Sequence, residues 1–207
     1  MEPTIGILAL QGDFKEHLAV LERLGVAARE VRLPHHLDGL AGLIIPGGES
    51  TTIGRLIERF ALRDKLLECI QSGMPVWGTC AGMIVLARDV DPETRARTQP
   101  LLGVLDIVVR RNAFGPQPES FEVDLAIPVL GPQPFRAVFI RAPIVSRIGP
   151  NVEPLAQLAD GTVVAVRQGN IIGTAFHPEL AEDDRFHAWF CALAQAFVAR
   201  TEPATTL

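Results

Sequence analysis

The chain has 207 residues, 48% hydrophobic and 21% charged, which is typical of one folded globular domain. Its formal net charge of −5 provides no basic surface, so nucleic acid is not expected as a partner. No apolar stretch approaches the length of a membrane span, and without a basic segment and cleavage site before the first strand-like run a signal peptide is not expected. The three cysteines, at positions 69, 80 and 191, are odd in number and widely spaced. This spacing disfavours a disulfide framework or a zinc site and favours the reducing cytoplasm.

The first half of the chain alternates short apolar runs with segments of helical periodicity. Asp13 is expected to cap the first helix, and Gly25 to end it. The predicted strands are 4–10, 26–33, 43–45 and 75–79; the predicted helices are 14–24, 52–71 with a break near Phe60, and 81–87. Such alternation predicts a mostly parallel sheet covered by helices on both faces.

The second half is richer in strands, and its proline and glycine clusters at 115–118, 128–134 and 149–154 predict turns. The predicted strands are 105–111, 120–127, 135–141, 162–168 and 171–176. Gln168-Gly169-Asn170 predicts a hairpin turn between the last two strands, and 184–198 predicts an amphipathic helix. The expected fold is therefore α/β: an open, twisted, mostly parallel sheet with an antiparallel extension and a helix at its C-terminal end.

Cys80 lies at a sharp corner between an apolar strand and an apolar helix. The run Gly78-Thr79-Cys80-Ala81-Gly82 has the Gly-x-Cys-x-Gly form of a nucleophile elbow, with cysteine in place of serine. The flanking glycines allow a tight turn, and the N-terminus of the following helix favours the thiolate over the thiol. Although free cysteines are often only structural, this setting predicts a nucleophile.

Among five histidines, His177 is the best candidate for the base, because it too ends an apolar strand. The others fall in helices or in a polar turn, where packing or solvent-facing roles are typical: His17, His35, His36 and His187. Pro178 favours an extended backbone at His177, so Glu179 is expected on the same side, where it would orient the imidazole. If the strands before Cys80 and His177 are parallel neighbours, both residues emerge at one sheet edge.

A glycine-rich loop, Pro46-Gly47-Gly48-Glu49-Ser50-Thr51-Thr52, follows the short strand at 43–45. Adjacent glycines leave backbone N–H groups open, so Gly47 and Gly48 are expected oxyanion donors, together with Ala81 after the nucleophile. A phosphate-binding loop is disfavoured, because the Gly-Lys-Ser/Thr ending is missing. Ser50 or Thr51 is expected to cap the next helix.

These three segments together resemble the nucleophile, oxyanion and His/Glu motifs of class I (triad) glutamine amidotransferases, in the right order. Further segments are similar to those of the glutaminase subunit of the two-protein pyridoxal phosphate synthase. They are Leu10-Gln11-Gly12-Asp13 with Glu16-His17, the complete glycine-rich loop, Arg111-Asn112-Ala113-Phe114-Gly115 and Phe139-Ile140-Arg141-Ala142-Pro143. The resemblance covers about residues 4–200 and implies one flavodoxin-like glutamine amidotransferase domain over 1–207, with a loose tail at 201–207.

The resemblance implies hydrolysis of L-glutamine to glutamate and ammonia. Cys80 would form a glutamyl thioester, His177 would shuttle protons, and Glu179 would orient His177. The residues that the family uses to bind glutamine correspond here to Gly48, Glu49, Ser50, Arg111, Ile140 and Arg141. An arginine suits the α-carboxylate, although a surface ion pair is the other interpretation of Arg111 and Arg141.

The implied partner is a pyridoxal phosphate synthase subunit, in a complex with twelve copies of each subunit, and the glutaminase waits for that partner to become active. No cofactor and no metal are expected in this chain. The segment 89–100, with Arg95 and Arg97, departs from the family in length. Three alternatives remain: the glutaminase of another pathway such as imidazole glycerol phosphate synthase, a redox-sensing protein of the same fold, and a cysteine peptidase.

Overall fold

The structure, a computed structural model, describes residues 3–96, 98–111 and 120–201. Its strands in chain order are β1 (Ile5–Leu8), β2 (Ala28–Val31), β3 (Gly42–Ile45), β4 (Val76–Thr79), β5 (Ala87–Val90), β6 (Leu105–Arg110), β7 (Ser120–Leu125), β8 (Phe135–Ile140), β9 (Ile144–Ile148), β10 (Glu153–Gln157), β11 (Val163–Gln168) and β12 (Ile171–Thr174). Its helices are α1 (Phe14–Arg23), α2 (Ser50–Arg59), α3 (Arg63–Gln71), α4 (Ala81–Leu86), α5 (Pro92–Ala96) and α6 (Arg185–Thr201). Over the described ranges, no helix has the length and apolar character that crossing a membrane requires.

The large sheet has a parallel core and an antiparallel extension, as the sequence predicts. Its strand order is β2-β1-β3-β4-β12-β11-β9-β6-β5, and β10 also pairs with β11. The strands from β2 to β12 are parallel to one another, so their C-terminal ends meet at one edge. Beyond β12 the pairing becomes antiparallel through β11 and β9 to β6, while β5 is parallel to β6. Strands β7 and β8 form a separate antiparallel hairpin.

Helices cover both faces of the parallel core. Trp77 of β4 stacks on Phe186 of α6 with ring centroids 4.7 Å apart. Its neighbour Gly78 points to the opposite face, where α4 approaches so closely that a Cβ on Gly78 would overlap the backbone of Gly82. The alternation of a large side chain and a glycine along β4 therefore allows α6 on one face and α4 on the other.

The helix after Cys80 is shorter than predicted, and a strand follows it at once. The backbone carbonyls of Val85 and Leu86 accept hydrogen bonds from Leu102 and Val104, at 2.7 and 3.0 Å. These carbonyls are therefore satisfied by a distant segment, so α4 ends at Leu86 and the chain continues as β5. The predicted break near Phe60 is confirmed, since α2 ends at Arg59 and α3 begins at Arg63.

Two strands in the second half were not predicted, β9 and β10. Strand β10 lies in a segment where prolines indicate turns, but it pairs with β11 on one side only. Pro154 is tolerated there because an edge strand does not need every backbone N–H in its ladder. Strand β12 ends at Thr174, two residues before the predicted end at Phe176. Thr201, assigned to the tail by the sequence, is the last residue of α6, and 202–207 lie outside the described residues.

Candidate active site

The segments that the sequence singles out follow four adjacent strands of the parallel core. Loops after the C-terminal ends of β1, β3, β4 and β12 meet at one sheet edge. Strands β4 and β12 are direct parallel neighbours, with Thr79 opposite Thr174. The expectation that Cys80 and His177 emerge at the same edge is therefore confirmed.

Cys80 forms the corner between β4 and α4 with a strained backbone, φ 47° and ψ −104°. Its N–H donates to the carbonyl of Thr174 at 2.7 Å, which fixes the corner to β12. A Cβ on Gly82 would overlap the carbonyl of Ile45, so glycine is required where α4 crosses β3. Cys80 is buried, with 8% of the residue exposed.

His177 lies three residues beyond β12 and is held by the hairpin. Its backbone N–H donates to the carbonyl of Val138 in β8 at 2.8 Å, and its Nδ1 lies 2.7 Å from Oε1 of Glu179. The imidazole packs against Gly47, where a Cβ would lie 2.5 Å from Cε1 of the ring. Because Nδ1 faces the carboxylate, the other ring nitrogen is left for Cys80, which helps to raise the pKa of the imidazole.

The contact between His177 and Glu179 is the one expected, but the backbone that joins the two residues is not the extended strand that the sequence predicts. Pro178–Leu180 is a 3₁₀ turn, and His177 has φ −107° and ψ 87°. The carboxylate is therefore brought back to the ring by a turn, and not by the alternation of an extended strand. Both side chains are buried, with His177 4% and Glu179 6% exposed.

The electrostatics of this pair favour a charged imidazole. Burial alone lowers the pKa of His177, but hydrogen bonds to Cys80 and Glu179 outweigh it and raise the pKa to about 10. Burial raises the pKa of Glu179, and the hydrogen bond from His177 opposes that change. By contrast, burial raises the pKa of the Cys191 thiol to about 11 and also raises that of Cys69, so both are poor nucleophiles.

Asp13 adds a second carboxylate beside the ring. It precedes α1 as predicted, but its side chain makes no capping hydrogen bond, and Oδ2 lies 3.5 Å from Nδ1 of His177. The potential metal-ligating atoms of Asp13, His177 and Glu179 lie within 4.8 Å of one another. Because Nδ1 of His177 already faces Oε1 of Glu179, a charge-assisted hydrogen bond accounts for this cluster.

The glycine-rich loop after β3 lies between Gln11 and the base. Gly48 has φ 147°, a conformation that L side chains rarely adopt, and a Cβ there would lie 2.6 Å from Oε1 of Gln11. The same Oε1 accepts the N–H of Glu49 at 2.7 Å. Gln11 therefore determines the direction of the peptide after Gly48, a role that its place in the sequence motif did not reveal.

Glu49, and not Ser50 or Thr51, caps α2. Its carboxylate accepts the backbone N–H groups of Thr51 and Thr52 at 3.2 and 2.7 Å. Arg111, at the end of β6, donates to Oε1 of Glu49 at 3.2 Å. Burial alone raises the pKa of Glu49, but these hydrogen bonds and the arginine outweigh it and lower the pKa to about 2. An arginine and an ionised carboxylate thus lie side by side at the site.

Of the remaining predicted residues, Ser50 is buried at the start of α2, and its hydroxyl donates to Oε1 of Gln99 at 2.7 Å. Gln99 belongs to the segment 89–100, for which the sequence indicated no function. Ile140 and Arg141 follow Val138 at the end of β8, and Arg141 is exposed with φ 43°. The segment Asn112–Gly115 and Arg97 lie outside the described residues.

Two histidines expected to pack or face solvent are completely buried behind Glu179. They are His17 of α1 and His187 of α6, both 0% exposed. The Nε2 atom of His17 lies 3.4 Å from Oε2 of Glu179. No pattern in the sequence indicated this contact, because His17 lies in α1 and Glu179 in the turn after β12, far apart along the chain.

Known proteins resemble this chain in both sequence and architecture. A pyridoxal 5'-phosphate synthase subunit PdxT of Herpetosiphon aurantiacus is 56% identical over 190 residues, which cover 92% of this chain and 100% of the relative. A protein of the same name from Roseiflexus sp. has the same identity and coverage. A crystal structure of a glutamine amidotransferase superposes with a TM-score of 0.86 and is 50% identical, covering 92% of this chain and 98% of that chain. A model of the SNO glutamine amidotransferase family matches residues 7–196, and the chain belongs to that family.

Proposed function

We propose that this chain is the glutaminase subunit of a pyridoxal 5'-phosphate synthase. It hydrolyses L-glutamine to L-glutamate and ammonia, and the ammonia passes to the synthase subunit. The observation that carries the proposal is the placement of Cys80 and the His177–Glu179 pair at the ends of adjacent parallel strands. The relatives of the same family named PdxT, which the chain matches along their whole length, support the pathway.

In the first half of the reaction, the thiolate of Cys80 attacks the side-chain carbonyl carbon of glutamine. A C–S bond forms, and the carbonyl oxygen becomes an oxyanion. As the C–N bond breaks, the imidazolium of His177 donates its proton to the leaving nitrogen. Ammonia departs, and a glutamyl thioester remains on Cys80.

In the second half, water attacks the thioester while neutral His177 accepts one of its protons. The C–S bond breaks, and glutamic acid, which ionises to glutamate in solution, is released from Cys80. The thiolate and the imidazolium are thereby restored together. Glu179 stabilises the imidazolium in both resting and restored states, as expected for a buried carboxylate 2.7 Å from Nδ1.

The oxyanion would be bound by the backbone N–H groups of Gly47, Gly48 and Ala81. Ala81 directly follows the nucleophile, and the loop of Gly47 packs on the ring of His177. Preorganised donors of this kind commonly contribute about a hundredfold to a thousandfold in rate each. Gln11 holds the next peptide N–H, that of Glu49, and thus limits how the loop can turn.

We assign the amino-acid end of glutamine to the pair formed by Arg111 and Glu49. The guanidinium of Arg111 suits the α-carboxylate, and the carboxylate of Glu49 has the charge opposite to the α-ammonium. Gly48, Ile140 and Arg141 complete the proposed binding set from the neighbouring loop and from the end of β8. The hydroxyl of Ser50 is bound by Gln99, so we assign the contribution of Ser50 to its backbone.

We further propose that residues 1–207 form one glutamine amidotransferase domain, because a single sheet takes strands from both halves of the chain. The partner is a synthase subunit that consumes ammonia, in an assembly with twelve copies of each subunit, as the family resemblance implies. We propose that the glutaminase is poorly active until that partner docks, with no cofactor of its own.

The experiment that tests the function combines this chain with the synthase subunit and measures both ammonia release and pyridoxal phosphate formation. With L-glutamine as nitrogen source, we expect both products from the wild-type chain and neither from Cys80→Ala. With ammonium salt as nitrogen source, the Cys80→Ala complex should still form pyridoxal phosphate, which shows that the partner is intact.

The matched control is Cys191→Ala, which removes a thiol away from the sheet edge and should leave both rates near wild type. Ammonia release by Cys80→Ala near the wild-type rate would contradict the mechanism. Glutamine hydrolysis that supports only an imidazole glycerol phosphate synthase would reassign the acceptor. If the wild-type chain hydrolyses no glutamine with any synthase, the protein is a non-catalytic member of the fold.

A further inference from the structure

The proposed mechanism leaves two buried histidines without a function. His17 of α1 and His187 of α6 are both 0% exposed, and Nδ1 of His17 lies 2.9 Å from Nε2 of His187. They pack beside Trp77, with ring centroids 5.8 and 4.9 Å from the indole. In an apolar interior an unsatisfied polar group is unfavourable, so the ring nitrogen that carries the proton on each of the two imidazoles is fixed by its neighbours.

The pair reaches the carboxylate that orients the proposed base. Nε2 of His17 lies 3.4 Å from Oε2 of Glu179 and 3.3 Å from Oγ1 of Thr79. The other oxygen, Oε1, faces Nδ1 of His177. Oε2 is fully buried and has no partner in good hydrogen-bond geometry among the described residues. Nε2 of His17 is the ring nitrogen placed to reach it, on the side of Glu179 that faces away from His177.

The protonation of both histidines follows from burial. Burial lowers the pKa of His17 well below its ordinary value, and the neighbouring His187 and His177 lower it further. Burial lowers the pKa of His187 to about 4; Arg23 lowers it further, whereas Asp184 raises it. Both rings are therefore neutral at pH 7, and each carries one N–H.

One arrangement of those two protons leaves fewer buried polar groups unsatisfied than the other. An ionised Glu179 needs a donor at Oε2, so the proton of His17 is on Nε2. Nδ1 of His17 is then an acceptor, and His187 donates to it from Nε2. This leaves Nδ1 of His187 unprotonated, and that atom has no hydrogen-bond partner among the described residues. The opposite arrangement would bury an unpartnered N–H on His187 and aim a lone pair of His17 at the carboxylate.

We propose that His17 is a positioning residue for the base: its Nε2–H holds Oε2 of Glu179 so that Oε1 faces His177, and His187 fixes the tautomer of His17. The inference rests on the proposed function, because it assigns His17 to the same reaction. The groups that face His17 come from three elements: Glu179 and His177 from the segment after β12, His187 from α6, and Thr79 and Trp77 from β4. The order of contacts is thus His187, His17, Glu179, His177 and Cys80.

The first test compares two amides at position 17. The amide nitrogen of His17→Gln corresponds to Nε2 and retains the donor to Glu179, whereas that of His17→Asn corresponds to Nδ1 and loses it. In the glutaminase assay with the synthase subunit, we expect His17→Asn to lower kcat by about tenfold to a hundredfold, as for other positioning residues. KM for glutamine should change by less than about twofold in both variants, because neither touches the substrate.

The pH profile and thermal unfolding separate positioning from simple packing. Without a donor at Oε2, Glu179 takes up a proton more readily, so the acid limb of kcat should move to higher pH in His17→Asn but not in His17→Gln. A purely structural role predicts equal losses of unfolding temperature in both variants and no difference in kcat or in the acid limb. Equal kcat values for the two variants would therefore overturn the proposal.

The second test needs no variant and no activity. Nitrogen-15 NMR of ring-labelled histidines in the full wild-type chain reports the tautomer of each imidazole. We expect two neutral, buried rings with the proton on Nε2, correlated with His17 and His187. A proton on Nδ1 of His17, or an imidazolium there at pH 7, would overturn the inference even if the wild-type chain is an active glutaminase. Conversely, Nε2 protons on both rings in a chain that hydrolyses no glutamine would count against the proposed function alone.

Discussion

Oε1 of Glu179 lies 2.7 Å from Nδ1 of His177, across a single 3₁₀ turn. Residues two apart on a strand share a side of the chain, but their Cα atoms would be about 6.6 Å apart. The turn instead brings the carboxylate back over its own neighbour, while Pro178 limits the backbone between them. The distance and the burial of both groups indicate a charge-assisted hydrogen bond.

The first prediction concerns this bond. Glu179→Gln retains the size of the side chain and removes its charge, so the imidazolium loses its buried partner. We expect kcat to fall by about a thousandfold to ten-thousandfold, as when the orienting carboxylate of a triad is replaced by an amide. The matched control is Glu182→Gln, an exposed acid three residues away, which should retain wild-type kcat. Retention of more than about a tenth of the activity by Glu179→Gln would contradict the role of the carboxylate.

The second prediction concerns stability and pH. The pKa of His177 is about 10 in the folded chain, against about 6.5 for an unfolded histidine. The folded state therefore binds this proton more tightly, and the resulting stabilisation is complete below pH 6.5 and lost as the pH rises to about 10. We expect the unfolding temperature of the wild-type chain to fall more steeply over that window than that of His177→Gln. Parallel curves, measured by calorimetry at constant ionic strength, would show that His177 is not charged.

The third prediction concerns the close crossing of α4 and β3. Gly82→Ala places a Cβ where the carbonyl of Ile45 lies, so α4 must move outward and take Cys80 with it. We expect a loss of about 1–3 kcal/mol in unfolding free energy, as for other overpacked sites, and a loss of glutaminase activity of about a hundredfold. Gly161→Ala is the control: it is also a glycine-to-alanine change, but in open space, with only a positive φ to strain it. Full activity in both variants would show that the position of α4 does not matter.

The fourth prediction concerns substrate binding. Arg111→Gln removes the guanidinium that pairs with Glu49. We expect KM for glutamine to rise by about tenfold to a hundredfold, the range for losing a hydrogen bond between charged groups, with a smaller change in kcat. Arg110→Gln, an exposed arginine at the adjacent position of β6, should leave KM unchanged. Equal KM values for the two variants would restore the interpretation of Arg111 as an ordinary ion pair.

Much of the fold was predictable because its signals are local. Short apolar runs that end at Cys80 or at the glycine-rich loop indicate buried strands and sharp corners, and both are observed. The end of α4 was predicted to within one residue, but strand β5 after it was not, since it depends on pairing with β6 and on the distant Leu102 and Val104. Strand β10 was not predictable because Pro154 is typical of a turn. A proline fits there since, among the described strands, β10 pairs only with β11 and therefore lies at an edge.

The candidate site likewise combines residues that local sequence signals identified with contacts that they did not. Cys80, His177 and the glycine-rich loop were found because each directly follows a predicted strand. Gln11, Asp13 and His17 lie within a segment that the sequence resemblance included, but their contacts depend on how the loop after β1 and helix α1 pack against the segments after β3 and β12. Those contacts are tertiary, and no periodicity in the sequence encodes them.

The hydrogen bond from the N–H of His177 to Val138 attaches the base to the hairpin, whereas Cys80 is attached to the large sheet. The two reacting groups thus have different backbone supports, joined through the two residues between β12 and His177. A displacement of β8 relative to β4 would therefore move the imidazole relative to Cys80 and also relative to Gly47, on which the ring packs. The pairing of β7 with β8 thus contributes to the alignment of the reacting groups, although the hairpin is not part of the sheet that carries Cys80.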